Sequence, residues 1–160
     1  VADGGDPKAF LAGAAANGRD NARTPMQWTA GKNAGFTAGV PWIEVNTNHA
    51  TINVEAQTGD KKSVLAHYRT LIALRRSHKV ISLGDYTPWL EDHPRLFVFE
   101  RRLDDTRLVV VCNFSGEPTE FPVPPDLEIS GECVVFNHTP RDRVAGTMHL
   151  APWEAFAVLA

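Results

Sequence analysis

Residues 96–113 read LFVFERRLDDTRLVVVCN. Two runs rich in β-branched and aromatic residues, 96–102 and 107–113, flank the turn sequence LDDT, which is the pattern of an antiparallel β-hairpin. Short runs of the same kind surround this hairpin at 84–90, 119–123, 132–137, 147–150 and 155–159. Strands that follow one another with no helix between them predict an antiparallel β-sandwich or a two-sheet barrel. The sequence therefore predicts a β-domain over residues 80–160.

A helix is predicted immediately before this domain, from Lys61 to Arg76. Asp60 is in position to cap its first turn, and its last turn is cationic, which suits the negative end of the helix dipole. One face is apolar with helical spacing and contains Val64, Leu65, Tyr68, Leu71 and Ile72. We expect this stripe to be buried and to cover one sheet.

Residues 18–58 show no regular hydrophobic period and are rich in proline and glycine. An independent domain rarely contains so long an irregular segment, because its backbone groups and its ordering entropy would go uncompensated. We expect the segment to lie on a larger body, and the first sixty residues in isolation to be mobile, swapped onto a neighbouring molecule, or folded back irregularly. The alanine-rich residues before it predict a short helix that ends at Gly18.

Composition excludes several classes of function. The chain has 160 residues, 43% hydrophobic and 22% charged, with a net charge of −3. These values are typical of a globular protein and give no basic surface for nucleic acid and no polybasic membrane patch. The apolar runs are far shorter than a membrane span.

The cysteines and histidines indicate no metal or cofactor. Cys112 and Cys133 each lie in a strand-like apolar run, which favours two reduced core thiols over a disulfide or a metal pair. The histidines are scattered singly, without the spacing of metal ligands. We expect a reducing, cytoplasmic compartment.

The segment with the most distinctive chemistry is RDNARTPMQW, residues 19–28. A guanidinium offers only hydrogen-bond donors and a carboxylate only acceptors, so alternating Arg and Asp residues on a loop either hold each other or clasp a polyhydroxylated ligand. The residue types alone leave both interpretations open: a salt-bridge knot that fixes the loop, or part of a sugar site.

Four blocks together resemble a known family. RDNARTPMQW is followed by NAGF (33–36), PWIEVN (41–46) and INVEAQ (52–57). Their order and spacing resemble the C-terminal part of the α-glucosidase and oligo-1,6-glucosidase branch of the α-amylase superfamily, glycoside hydrolase family 13. The resemblance extends over nearly the whole chain, with one departure at Thr29, where the family usually has an acidic residue.

The resemblance implies a mainly β fold that completes a larger enzyme. Residues 1–79 would be the end of a truncated (β/α)8 barrel, a long irregular loop excursion after its eighth strand plus its final helix 61–76. Residues 80–160 would be the C-terminal antiparallel β-sandwich domain. The chain begins at Val1 without a methionine, which fits either a piece of a longer protein or processing.

The resemblance also implies a function for the parent protein, a retaining α-glucosidase that removes terminal α-linked glucose from oligosaccharides. Such enzymes need two carboxyl groups about 5 to 5.5 Å apart, and the family carries them on earlier barrel strands. No catalytic residue is therefore assigned, and the isolated chain is predicted to be inactive. Arg19 matches the family's arginine at the pocket for the non-reducing-end sugar; Asp20 and Arg23 are predicted to brace that loop. The implied partners are an α-glucoside oligosaccharide and the missing barrel.

Two alternatives stay open. The chain could be a free-standing carbohydrate-binding β-module, or a fragment of a sucrose isomerase or transglycosylase of the same superfamily. The tryptophans bear on the first alternative. We expect Trp28 and Trp42 to anchor the loop, and Trp89 and Trp153 to be buried in the β-domain rather than to form a sugar-binding face.

Overall fold

The computed structural model describes residue 4 and residues 6–160. The chain divides into two compact units, with the boundary between His67 and Tyr68. The helices are α1 Pro7–Asn17, α2 Val54–Gln57, α3 Val64–Ser77 and α4 Lys79–Leu83, with 3-10 turns at Asp20–Ala22, Lys32–Gly35, Thr47–Ala50 and Pro125–Leu127. The strands are β1 Asp85–Trp89, β2 Leu96–Leu103, β3 Thr106–Asn113, β4 Thr119–Pro122, β5 Ile129–Ser130, β6 Glu132–Phe136, β7 Arg143–Val144, β8 Thr147–Leu150 and β9 Ala155–Leu159.

The second unit is built on a five-stranded sheet of order β1-β2-β3-β9-β6, in which every neighbouring pair is antiparallel. The predicted hairpin forms its centre. β2 and β3 pair over their full length, and Asp104 in the turn between them adopts a left-handed φ of 52°, a conformation that Asp tolerates better than most residues. Two smaller antiparallel sheets, β4-β8 and β5-β7, complete the domain.

The main core lies between the five-stranded sheet and the two smaller sheets. Val98, Val109 and Val158 reach it from the large sheet, and Phe121 and Leu150 reach it from the β4-β8 pair. Because side chains alternate along a strand, the residues between them face the opposite way. The prediction of a mainly antiparallel β-sandwich is confirmed.

The opposite face of the five-stranded sheet, called the outer face below, receives α4. Val80 of α4 is buried with Leu108 of β3 and Ala157 of β9 in a second, smaller cluster. Arg101 of β2 fixes the helix from the sheet, since its guanidinium donates to the carbonyls of Val80 (3.2 Å) and Gly84 (2.7 Å). The sequence did not predict α4, because five residues are too few to show a helical period.

The predicted helix 61–76 forms as α3, but it begins three residues later than expected. Asp60 accepts a hydrogen bond from the amide of Lys62 (2.8 Å), so its carboxylate is used in the preceding turn. The hydroxyl of Ser63 caps the helix instead, accepting from the amide of Ala66 (3.1 Å). The predicted burial of the apolar stripe is wrong for the described chain: α3 has no buried residue, and four of the five stripe residues are exposed, namely Val64, Tyr68, Leu71 and Ile72.

Two tryptophan predictions have different outcomes. Trp89 packs against the main core, as expected. Trp153 is 59% exposed and adopts a φ of 59°, so the prediction that it is buried is wrong. It lies in a tight turn between β8 and β9, where its amide donates to the carbonyl of Ser115 (3.0 Å). Because Trp153 lies in a turn, the alternation of side chains along a strand does not determine which way its indole ring points.

The first unit contains α1, α2, the start of α3 and the 3-10 turns Asp20–Ala22, Lys32–Gly35 and Thr47–Ala50. Asp6 caps α1 by accepting from the amide of Lys8 (2.9 Å), Pro7 occupies the first turn, and the helix ends at Gly18 as predicted. None of the described residues of α1 is buried. No helix in the described part of the chain is long and apolar enough to cross a membrane.

Candidate substrate-binding segment

The blocks that are separate in the sequence meet in the first unit. The extended TPMQW strip (24–28) lies beside INVEAQ (52–57): the amide of Val54 donates to the carbonyl of Gln27, and the amide of Glu55 to that of Trp28, both at 3.0 Å. The side chain of Gln27 returns a hydrogen bond to the carbonyl of Ile52. These contacts fix the position of residues 24–28, which immediately follow Arg23.

The NAGF block forms a tight left-handed turn against the same strip. Asn33, Ala34 and Gly35 have φ values of 51°, 54° and 67°. The carbonyl of Ala34 accepts from the amides of both Trp28 (2.9 Å) and Thr29 (3.0 Å). Left-handed backbone is costly for residues other than glycine, and the structure compensates here with hydrogen bonds and with complete burial of Ala34.

A cavity of about 260 Å³ lies between the two hydrogen-bonded blocks. Thr24, Gln27, Asn53 and Gln57 contribute its polar lining. Asn53 is buried and hydrogen-bonded: its side-chain amide donates to the carbonyl of His49, and its side-chain oxygen accepts from the amide of Ala56, both at 2.8 Å. The side chains of Gln27 and Asn53 therefore serve the loop architecture, and sequence reasoning missed these contacts because they depend on how the loop folds back on itself.

The three predicted site residues lie at the start of this segment and are exposed. Asp20 and Arg23 form an ion pair one turn apart. The guanidinium of Arg23 also lies 5.4 Å from the ring centre of Trp42, which is 86% exposed. This stacking was not predicted, because nothing in the sequence links residues nineteen positions apart. Trp28 and Trp42 are both exposed, so neither anchors the loop onto the described chain.

Arg19 is different from its neighbours. Its backbone carbonyl accepts from the amide of Ala22 (3.1 Å), which closes the turn Asp20–Ala22. Its side chain makes no ion pair or hydrogen bond to any residue that the structure describes. The structure thus brings Asp20 and Arg23 together with Trp42 and leaves the guanidinium of Arg19 uncommitted.

The carboxylates with shifted pKa values are in the β-domain and serve as structural anions. Burial acts to raise the pKa of Glu154, but hydrogen bonds from Arg141 and the amide of Ala151, with the charges of Arg141 and His138, outweigh it and hold that pKa below its usual value. A general acid at neutral pH needs a raised pKa. Glu154 is therefore unsuited to that role.

Glu100 is held in the same way. Burial acts to raise its pKa, and hydrogen bonds and charges from Arg107 and Arg102 lower it by more. Arg107 also donates to the backbone carbonyls of Asp126 (2.8 Å) and Glu128 (2.7 Å), so the pair fixes a loop. No cluster of three potential metal ligands occurs among residue 4 and residues 6–160.

Two protein families match consecutive parts of the chain. Residues 2–84 match the family described as "Alpha amylase, catalytic domain", and residues 86–156 match "Maltogenic Amylase, C-terminal domain". The chain belongs to the α-amylase family. The resemblance carried by the four blocks is thereby confirmed, as is the expected C-terminal β-domain.

The proteins similar to this α-amylase-family chain are named as different enzymes. An oligo-1,6-glucosidase of Halalkalibacterium halodurans is 39% identical over 96% of the chain. The crystal structure of the trehalose-6-phosphate hydrolase TreA of Bacillus licheniformis superimposes on 97% of it with a TM-score of 0.84 and 37% identity. A mutant of the trehalulose synthase MutB superimposes on all of it with a TM-score of 0.87 and 35% identity.

The chain spans less than a third of each of these relatives, 28% of the glucosidase and 29% of the other two. The fold of the described residues is therefore shared with three enzymes that carry different names.

Proposed function

We propose that the chain supplies the substrate-recognition segment and the C-terminal β-domain of a retaining α-glucosidase that releases terminal α-linked glucose from oligosaccharides. The family membership supports the glycoside-hydrolase class of the parent. The observation that supports the recognition role is the place of Arg19 at the start of a segment held by the other blocks, with no hydrogen bond or ion pair from its guanidinium to a described residue.

The proposed role of Arg19 in sugar recognition follows from the hydrogen-bond donors of its guanidinium group. A guanidinium presents five N–H groups in a fixed plane, and sugar hydroxyls accept from such groups. When a site of this kind is enclosed, a ligand that lacks the matching hydroxyls leaves the donors unpaired, and that penalty gives selectivity. Arg23 cannot substitute for Arg19, because it is already engaged by Asp20 and Trp42.

The reactive carboxylates are proposed to lie in the parent barrel outside this chain. In the β-domain, Glu100 and Glu154 are held as anions by arginines. In the first unit, Asp20, Glu44 and Glu55 are exposed. None of these is proposed to act in bond cleavage, so the isolated chain is expected not to hydrolyse glucosides.

The test uses the full-length parent. Arg19→Ala is expected to lower kcat/KM for p-nitrophenyl α-glucoside by about a hundredfold, since one charged donor set to the sugar is lost. Arg143→Ala is the matched control, because Arg143 is an exposed arginine of the β-domain, and it should leave kcat/KM unchanged. A change of less than about threefold for Arg19→Ala, or hydrolysis by the 160-residue chain alone, would refute the proposal.

A second candidate is a sucrose isomerase or transglycosylase, supported by the similarity to trehalulose synthase. Incubation of the parent with sucrose separates the two: free glucose and fructose as the main products indicate hydrolysis, and an isomeric disaccharide indicates transfer. A free-standing binding module predicts affinity of the isolated chain for maltose or isomaltose, which calorimetry measures directly. The cytoplasmic location stays a prediction.

A further inference from the structure

Trp153 is an exposed aromatic residue whose backbone is held from two sides. Its φ of 59° lies in the left-handed region, which is costly for a bulky residue. Its amide donates to the carbonyl of Ser115 (3.0 Å), and its carbonyl accepts from the side chain of Asn137 (2.7 Å). The oxygen of the same Asn137 side chain accepts from the amide of Ala155 (2.8 Å). The β3–β4 connection and the residue after β6 therefore stabilise a strained turn.

The indole ring on this turn is open to solvent over most of its surface. It belongs to a residue that is 59% exposed. A Cβ placed on Gly116 would lie 3.6 Å from the indole Nε1 and 3.7 Å from Cζ2, so the ring rests beside the backbone of Gly116. The indole N–H makes no hydrogen bond to another residue of the described chain. Trp153 thus offers an aromatic surface in a fixed position, with an unused donor at its edge.

The residues that adjoin the indole are small or polar. Gly116 is followed by Glu117, and Asn137 is followed by His138, and all four are exposed. A carboxylate accepts hydrogen bonds, and an imidazole donates and accepts them, so both suit the hydroxyls of a polar ligand. The surface around Trp153 therefore combines one apolar ring with a hydrogen-bonding border.

The Trp153 turn lies at one end of the five-stranded sheet, away from the contact between α4 and the sheet. Val80 of α4 packs on Leu108, near the start of β3. The carbonyl of Glu154 accepts from the amide of Asn113, at the end of β3 (2.8 Å). Leu108 and Asn113 are separated by about 17 Å along the strand. The exposed indole is therefore not part of the small core beneath α4.

We propose that Trp153 is the stacking platform of a carbohydrate-binding site in the β-domain, and that its ligand is a neutral α-linked glucan chain. The C–H groups on one side of a hexopyranose pack on an aromatic ring, while its hydroxyls accept from an indole N–H. Glu117 and His138 border the ring and pair with further hydroxyls. The sugar class follows from this surface chemistry, and the choice of an α-linked glucan rests on the proposed function.

The charge and composition of this surface disfavour other ligands. An anionic polymer binds to cationic surfaces, whereas Glu117 adds a carboxylate here and the chain has a net charge of −3. A protein partner usually buries a continuous apolar patch. Phe114, the other exposed ring of the β3–β4 connection, lies 6.0 Å from Phe97 on the outer face and belongs to that surface. A single ring with a polar border matches a ligand that has one apolar side and many hydroxyls.

The first test measures how strongly a native gel that contains amylopectin retards the full-length parent, which gives a Kd for the polysaccharide. Trp153→Gly should raise this Kd at least about tenfold, because the ring is lost. Glycine adopts the left-handed conformation without a steric cost, so the turn keeps its backbone. The Tm of this variant should therefore stay within about 3 °C of the wild-type value.

Two further variants show whether the ring itself is responsible. Phe114→Ala is the matched control, because Phe114 is 65% exposed in the same connection, and it should change the Kd by less than about twofold. Trp153→Phe keeps an aromatic face and loses the N–H, so it should raise the Kd about threefold. An unchanged Kd in Trp153→Gly, or equal increases in Trp153→Gly and Phe114→Ala, would overturn the proposal.

An NMR titration of the 160-residue chain locates the site directly. The chain has 4 tryptophans, each with one indole N–H signal, and the signal that is missing in Trp153→Phe belongs to Trp153. Addition of maltohexaose should shift this signal saturably and by more than any other indole signal. Shifts confined to the other tryptophans would contradict a site at Trp153.

Hydrolysis of p-nitrophenyl α-glucoside by the parent is assayed separately, so that the two proposals fail in different ways. An inactive parent whose retardation depends on Trp153 would refute the proposed function and support the binding site. An active parent whose retardation is absent or independent of Trp153 would overturn the site and leave the proposed function standing. Binding at Trp153 in the 160-residue chain without retardation of the parent would show that another part of the parent covers the indole, which also overturns the site.

Discussion

Arg141→Met should destabilise the β-domain more than any substitution of an exposed arginine. Arg141 donates from Nε to Glu154 Oε1 (2.6 Å) and from Nη2 to Oε2 (3.2 Å), and Nη2 also reaches the carbonyl of His149 (3.0 Å). The side chain of Glu154 is only 2% exposed. Without Arg141, the carboxylate keeps a single hydrogen bond, from the amide of Ala151 (2.7 Å).

The magnitude follows from the burial of the partner that remains. Removing one member of a buried ion pair costs about 3–5 kcal/mol, because the other charge stays desolvated. The Arg141 side chain is 32% exposed, so water partly screens the ion pair. We therefore expect a loss at the low end, about 3 kcal/mol in the free energy of unfolding.

The assay is urea-induced unfolding of the 160-residue chain, followed by far-UV circular dichroism. Arg143→Met is the control, because Arg143 is an exposed arginine of the same region, and it should cost less than about 0.5 kcal/mol. The double variant Arg141→Met with Glu154→Gln should recover at least half of the loss, since no unpaired charge then remains. A single-variant loss below about 1 kcal/mol, or a double variant no more stable than Arg141→Met, would refute the reasoning.

The remaining predictions concern pH and close packing. Glu100 and Glu154 have folded-state pKa values below the usual 4.5, so the unfolded chain takes up protons first as the pH falls. The stabilisation from these two ionised carboxylates is therefore complete above pH 4.5 and is lost as the pH falls through their folded-state pKa values. The free energy of unfolding should fall between about pH 6 and about pH 3, and it should fall less steeply in Glu100→Gln. A free energy of unfolding that does not change over this range would contradict the prediction. Gly131→Ala should cost more than about 2 kcal/mol, because a Cβ there would collide with the backbone carbonyl of the last strand. Gly116→Ala, where the nearest atom is 3.6 Å away, should be nearly neutral by the same denaturation assay, and equal effects would count against the packing argument.

The hairpin at residues 96–113 and the strands around it were predictable because their patterns are local. A period of two and a turn with two aspartates are properties of a few consecutive residues. The same holds for the end of α1 at Gly18. Strands β5 and β7 were missed because each has only two residues, too short to show a period. Their pairing depends on the opposite strand rather than on their own sequence.

The predicted site is partly visible in the sequence and partly not. The block RDNARTPMQW predicts a site at Arg19, Asp20 and Arg23, which stays a prediction, and the ion pair between the last two follows from their spacing of one turn. The stacking of Trp42 on Arg23 required the intervening loop to fold back. No local pattern records that contact.

The apolar stripe of α3 shows the limit of the argument from periodicity. Its spacing specifies that one face of the helix is apolar, and the helix forms. Spacing does not specify what covers that face, and in the described chain Tyr68, Leu71 and Ile72 remain exposed.

The sequence by itself therefore determined the β-sandwich class, the helix and the family, because hydrophobic period, turn chemistry and the four blocks are local properties. The tertiary structure decided which carboxylates are held by arginines, that the side chain of Arg19 makes no hydrogen bond or ion pair to a described residue, and which face of the sheet remains open. The physical reason is that hydrogen bonds, desolvation and ring contacts join residues far apart in the chain, and their geometry exists only once the strands have paired.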